Sequence, residues 1–187
     1  MSDIDKLFDA IRKDTECYIG KDCDLETLMA RDKFIGKYSW AIPSKEIIQK
    51  LAAFIEDDIA LEIGAGKALW SHLLQEAEAN IIPTDICLSN KTFTDIAKYN
   101  AISAVDTFAN FANTLILIWP PYGSSMAYDA LNQFKGKKVI YIGEGFFGCT
   151  ADDNFHHLLN KEWAMIERLH NPTWPGINDF VSLYIRQ

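Results

Sequence analysis

Residues 61–68 read Leu61-Glu62-Ile63-Gly64-Ala65-Gly66-Lys67-Ala68, and this stretch decides the fold. An apolar strand ends at Ile63, two glycines follow at alternate positions, and a helical pattern opens at Ala68. That is the strand-turn-helix setting a nucleotide-binding glycine turn requires. Gly64 and Gly66 let the chain turn sharply and let a ligand approach backbone where a Cβ would clash. A dinucleotide fingerprint has the form GxGxxG, but the residue three after Gly66 is Leu69, so close packing against a pyrophosphate is not supported.

Outward from this turn, short apolar runs alternate with helical segments, the signature of a parallel sheet with crossovers. Strands are predicted at residues 59–63, 80–84, 101–104 (a weak pattern), 115–119, 138–143, 163–169 and 180–185. Helices are predicted at 68–77, at 108–111 and at 152–160, the last with Thr150 and Asp153 spaced as a capping box. Roughly ten residues containing Pro172, Pro175 and Gly176 join the last two strands. That is too short for a helical crossover, so the final strand should run antiparallel. Ahead of the sheet, Leu7, Phe8 and Ile11 follow Asp3 at helical spacing, and Leu25, Leu28 and Met29 do so within residues 24–34. Ser44 is placed to cap a third helix with an apolar stripe of Ile47, Ile48, Leu51, Ala52 and Ile55.

Composition bounds the function. The chain has 187 residues, 49% of them apolar and 24% charged, which is ordinary for one globular domain and excludes disordered, collagen-like and coiled-coil chains. With 18 Lys+Arg against 26 Asp+Glu the net charge is −8, so a large nucleic acid, whose phosphates need basic partners, is a poor candidate. The cysteines at 17, 23, 87 and 149 form no CxxC, which points to reduced thiols in a cytoplasmic protein rather than a zinc site or a disulfide scaffold. Residues 1–6 have no basic segment leading into an apolar one, and no apolar run approaches a membrane span, so neither a secretion signal nor a membrane segment is expected.

The motif around the glycine turn resembles the first motif of class I S-adenosylmethionine-dependent methyltransferases, an acid two residues before GxGxG. Here that is Glu62 with Gly64 and Gly66, and Ala68 stands for the third glycine. The resemblance implies S-adenosylmethionine as cofactor, with Glu62 near its amino group and the backbone of Gly64, Ala65 and Gly66 beneath its methionine and ribose portions. Asp85 closes the second strand 19 residues after Gly66, where the family places an acid that binds both ribose hydroxyls. An acidic pocket suits a ligand that carries a sulfonium and an ammonium and no phosphate. The next family position, after the third strand, falls on Asp106, which either meets the adenine amino group or caps the helix after it.

The fourth strand runs into Trp119-Pro120-Pro121-Tyr122. In family members acting on exocyclic or amide nitrogens this tetrapeptide begins with Asn, Asp or Ser, which accepts hydrogen bonds from the target amine. An indole N–H only donates, so Trp119 cannot take that role. Pro120 and Pro121 would still fix a rigid turn near the sulfonium, and Tyr122 would still offer a stacking face. At the fifth strand's end Glu144 stands between Gly143 and Gly145, and His156 shares a helix face with Asp152, so Glu144 or His156 is the candidate general base. The adjacent His156 and His157 point to different faces, and no metal is expected. Trp174 is a candidate wall of the substrate pocket, and residues 37–43 form either a lid over the cofactor or an ordinary packed loop.

The resulting expectation is an α/β, three-layer Rossmann-like methyltransferase fold over residues 59–187, with a helical extension over 1–58 packed on it. The sheet is expected to be seven-stranded and mostly parallel, in the family's order 3-2-1-4-5-7-6 with the seventh strand antiparallel. The expected activity is methyl transfer to an unidentified small-molecule or protein acceptor. The alternatives are a degenerate fold that works as a cofactor-binding or partner-binding regulatory subunit, with the N-terminal helices as one possible partner surface, and a nicotinamide-dependent oxidoreductase, which Leu69 disfavours.

Overall fold

A computed structural model describes residues 2–187. Among these residues the helices are α1 (Asp3–Thr15), α2 (Leu25–Lys37), α3 (Lys45–Ile55), α4 (Leu69–Glu76), α5 (Ala101–Phe108), α6 (Met126–Gln133) and α7 (Asp153–Glu162). The strands are β1 (Ile59–Ile63), β2 (Asn80–Asp85), β3 (Ala97–Lys98), β4 (Ala112–Ile118), β5 (Lys138–Gly143), β6 (Trp163–His170) and β7 (Phe180–Arg186). They form one sheet in the order β3-β2-β1-β4-β5-β7-β6. β1 pairs in parallel with β2 and β4, and β5 with β4, while β7 runs antiparallel to both β5 and β6. The expected α/β sheet with its reversed last strand is the observed one.

The central strands are mainly apolar because both faces of the sheet are covered. On β4, Leu115 and Leu117 face one cluster with Leu61, Phe134 and Phe155, while Ile116 faces the other with Leu51, Trp70 and Leu73. Each such side chain, fully buried, contributes about 1.5–3 kcal/mol. Helices α5, α6 and α7 supply the first layer, and α3 and α4 the second. The second layer continues into α1 and α2 through Ile11, Phe34 and Tyr38.

The structure corrects several expectations. Residues 101–104 are helical, and the third strand is the two-residue β3 just before them. Asn100 caps this helix by accepting from Ser103 N at 2.9 Å. Ala101, Ala104, Val105 and Phe108 pack on one cluster at helical spacing, so the helix starts well before residue 108. β4 ends at Ile118, because Trp119 has φ +50°, outside the extended region. The cap of α7 is Asp152, which accepts from Phe155 N, while Thr150 Oγ1 bonds Tyr141 and Glu144 instead. Trp174 turns into the core against Phe34 and Tyr18 rather than walling a pocket. The four cysteines are free and exposed, and among the described residues no helix is long and apolar enough to cross a membrane.

Candidate functional site

The strand order reverses between β1 and β4, and the crevice at the carboxyl ends of strands at such a point is where open α/β sheets hold ligands. Two connected hollows of about 410 and about 370 Å³ lie there, sharing Trp40, Gly64, Gly66, Asp85 and Ile118. Glu62, Ala65 and Lys67 line the first. Asn100, Trp119, Pro120 and Met126 line the second.

The glycine turn shapes the floor. Gly64 and Gly66 have φ of +71° and +59°, in the left-handed region, and both are exposed to the cleft. A Cβ on Gly66 would meet no atom of the protein within 4 Å, so its open side is cleft space. Ala68 also stands in the left-handed region, with φ +54°, and starts α4 without a side-chain cap. Alanine there costs about 1–2 kcal/mol of backbone strain that glycine avoids. This is the physical content of the missing third glycine.

Two carboxylates flank the turn. Asp85 closes β2; its Oδ2 accepts from Gly66 N and its Oδ1 from Cys87 N, each at 2.8 Å, so it holds the turn while facing the cleft. Glu62 is only 2% exposed and accepts from the Ser71 hydroxyl of α4. Among the described residues no cation is ion-paired with either carboxylate. Burial pushes the Glu62 carboxyl up to about 7; the Ser71 hydrogen bond opposes this and the charge of Asp85 adds to it.

The segment after α2 closes the remaining side. Lys67 Nζ donates to the Gly36 carbonyl at the end of that helix, and Tyr38, Ser39 and Trp40 line the cleft. Residues 38–40 are therefore a wall of the site. Trp40 stacks on Trp119 at 5.4 Å between centroids and 14° between planes, with the Arg31 guanidinium 5.6 Å from each ring. Trp119 Nε1–H donates to Asp179 Oδ2 at 2.8 Å. Burial raises the Asp179 carboxyl to about 6, opposed by that hydrogen bond and reinforced by the charge of Glu144.

Other candidates lie elsewhere. Asp106 sits on the exposed side of α5, bonds the amide of Gln133 and does not line either hollow. It lies inside a helix rather than after a strand, which is why it misses the cleft. Asn100, directly after β3, lines the second hollow in its place. Glu144 is buried with both oxygens engaged, Oε2 by Cys149 N at 2.7 Å and Oε1 by Asn178 N at 2.8 Å. His156 is buried, its Nε2 is 3.2 Å from the Thr150 carbonyl, and burial lowers its pKa. Both are internal fasteners rather than bases facing the cleft. Tyr122 is 74% exposed, at the rim. Sequence reasoning missed Asn100, Ser71 and the partnership of Asp179 with Trp119. For Asn100 there was a local signal, a capping residue ahead of Ala101 and Ser103; for the others there was none.

No family model matches the chain, and no curated protein matches it in sequence. In structure the chain is similar to magnesium protoporphyrin IX methyltransferase from Synechocystis PCC 6803 with bound S-adenosylhomocysteine. That match has 11% identity and a TM-score of 0.56, and covers 97% of this chain and 95% of that one. It is also similar to 1,6-didemethyltoxoflavin-N1-methyltransferase from Burkholderia thailandensis, with bound 1,6-didemethyltoxoflavin and S-adenosylhomocysteine (10% identity, TM-score 0.55, 91% and 94% covered). A third is the N-methyltransferase NodS from Bradyrhizobium japonicum WM9 (10% identity, TM-score 0.52, 75% and 93% covered). The chain has the Rossmann-like fold of the class I methyltransferases.

Proposed function

We propose that this chain is an S-adenosylmethionine-dependent methyltransferase whose cofactor lies across the Gly64–Gly66 turn. The observation that carries the reading is the pair of carboxylates, Glu62 and Asp85, on either side of that turn in one cleft, with no ion-paired cation among the described residues. A ligand with an ammonium and a sulfonium is attracted there, whereas phosphates are repelled. Similar structures that hold S-adenosylhomocysteine support the same choice.

In this reading Glu62 receives the ammonium, Asp85 the ribose hydroxyls, and Asn100 takes the adenine position that the resemblance had given to Asp106. When bound, the cofactor supplies an electrophilic methyl group on a sulfonium. Trp119 and Pro120 bound the cleft at the end of β4, and Trp40 covers it, so these residues orient the reactants and exclude water. Holding two reactants in line is the main catalytic contribution required of such a site.

Thermal unfolding with and without S-adenosylhomocysteine, with NAD as control, tests the reading. Ligand at 100 times its dissociation constant stabilises the native state by about 2.7 kcal/mol, which raises the midpoint of a chain this size by about 5 to 10 °C. That shift with S-adenosylhomocysteine alone, lost in Asp85→Ala, is the expected result. No shift with either ligand overturns it. The rival, a fold that binds the cofactor without turnover, draws on Trp119 standing where a polar residue would accept from an amine. It predicts the same shift with no consumption of S-adenosylmethionine on any acceptor.

A further inference from the structure

Next to the cofactor cleft, whose carboxylates repel phosphate, the sign of the charge reverses. A separate hollow of about 540 Å³ is lined by Lys33, Lys37, Lys67 and Lys91 with Gly36, Thr92 and Phe93, and no carboxylate is in its lining. Its volume is in the range of small-ligand sites. Lys67 lines both this hollow and the first hollow of the cleft, so the two are neighbours.

Three separate segments bring the lysines together. Helix α2 carries Lys33 and Lys37 at i, i+4, on one face. Lys67 arrives from the glycine turn, its Nζ donating to the Gly36 carbonyl. Lys91 and Thr92 come from the loop after β2. That loop is held by Ser89 Oγ, which accepts from Lys91 N at 3.3 Å, and by Phe93 N, which donates to the Lys67 carbonyl at 2.9 Å. The Phe93 ring stacks on Tyr38 and on His72, fixing the loop against α2 and α4.

This concentration of like charge opposes folding. Lysines four apart on a helix repel, and ammonium groups around one hollow repel further. Lys37 pairs with Asp14 at 2.7 Å, whereas Lys33, Lys67 and Lys91 form no ion pair among the described residues. Four lysines and the one carboxylate of Asp14 leave a net charge of +3 at the hollow, in a chain whose total is −8 with 26 acidic residues from which partners could have come. A cleft lined by one sign of charge focuses the field on a counter-ion.

We propose that this hollow binds a compact small-molecule polyphosphate, a ligand with two or more linked phosphates, as a second site beside the cofactor cleft. One phosphate carries about −1.5 to −2 near pH 7, so two linked phosphates match the charge of the hollow and one does not. Each ammonium has three N–H donors, so Lys67 and Lys37 still have donors to offer beside the bonds they make, and the Thr92 hydroxyl adds another. The acidic remainder of the chain repels an extended polyanion, which favours a ligand that fits within the hollow over a nucleic-acid backbone. The assignment does not depend on the identity of the cofactor.

Titration calorimetry on the full chain with pyrophosphate as probe tests the site. One saturable site is expected, at least about tenfold tighter than for orthophosphate and weaker as salt is raised. The double variant Lys33→Gln/Lys91→Gln changes two exposed side chains that line neither cofactor hollow. It should bind pyrophosphate about tenfold more weakly and S-adenosylhomocysteine as the wild type does. Lys135→Gln/Lys161→Gln makes the same change of net charge at exposed positions outside the hollow and should leave pyrophosphate binding unchanged. An oligouridylate should bind more weakly than pyrophosphate. Absence of pyrophosphate binding, equal affinity for orthophosphate, indifference to Lys33→Gln/Lys91→Gln, an equal loss in Lys135→Gln/Lys161→Gln, or tighter binding of the oligouridylate overturns the proposal. S-adenosylhomocysteine binding by the same preparation reports on the methyltransferase reading separately.

Discussion

The indole N–H of Trp119 donates to Asp179 across 2.8 Å, tying the end of β4 to the loop between β6 and β7 over 60 residues of sequence. The bond explains how a tryptophan in the left-handed region keeps one orientation. Its edge is held by Asp179, its face by Trp40, and Arg31 packs beside both rings. The other oxygen of Asp179 is buried without a partner, so the carboxylate is retained at a cost in stability.

That cost is pH-dependent. The folded chain holds a proton on Asp179 up to about pH 6, whereas its ordinary value is 3.8, so the protonated form stabilises the fold at low pH and this contribution is lost as pH rises through 6. Two pH units correspond to about 3 kcal/mol. Asp179→Asn, which imitates the protonated acid, should match the wild type near pH 4 and exceed its stability at pH 8. Urea unfolding at the two pH values checks this, and equal stabilities at pH 8 would remove the burial argument.

Glu62 carries the same sign with a second consequence. Its carboxyl, at about 7 against an ordinary 4.5, should make the ligand-free protein less stable as pH rises from 4.5 through 7, and Glu62→Gln should remove that loss. If the ionised form receives an ammonium, S-adenosylhomocysteine affinity should climb up to about tenfold per pH unit below 7 and then level. Titration calorimetry from pH 5.5 to 8.5 should find Glu62→Gln more stable, weaker in binding and nearly flat with pH.

Gly66→Ala separates fold from ligand. The added methyl meets no protein atom within 4 Å, so the loss of stability should stay near the backbone strain alone, about 1–2 kcal/mol. The same methyl projects into the cleft, and binding of S-adenosylhomocysteine should fall by at least tenfold. Chemical unfolding and calorimetry on one preparation measure both, and a variant that binds normally would place the ligand away from this turn.

Glu144→Ala should behave as the loss of a fastener. It leaves the amides of Cys149 and Asn178 without their acceptor, a penalty of about 2–4 kcal/mol for two charge-assisted bonds. Limited proteolysis should then cut near residues 145–149, while S-adenosylhomocysteine still binds. A stable, protease-resistant variant that binds but does not turn over would return Glu144 to the list of bases.

The amino-acid sequence by itself determined the strand-turn-helix at residues 59–76 and the reversal of the last strand, while the placing of Glu62 and Asp85 around the turn and the order of the strands came with the family resemblance. These are matters of spacing within about 25 residues, where apolar period, glycine and connection length act directly on the backbone. Asp106 was misplaced because a helix and a weak strand compete over one short apolar run, and the cap from Asn100 decides between them. What only the tertiary structure decided is which polar side chains are free. Glu144, His156 and Asp179 carry the composition of catalytic groups, but each is engaged by atoms that the fold brings to it, across 34 residues for Asn178 to Glu144 and 60 for Trp119 to Asp179. Burial and partnership set a side chain's chemistry, and both depend on segments too distant for any local pattern to record.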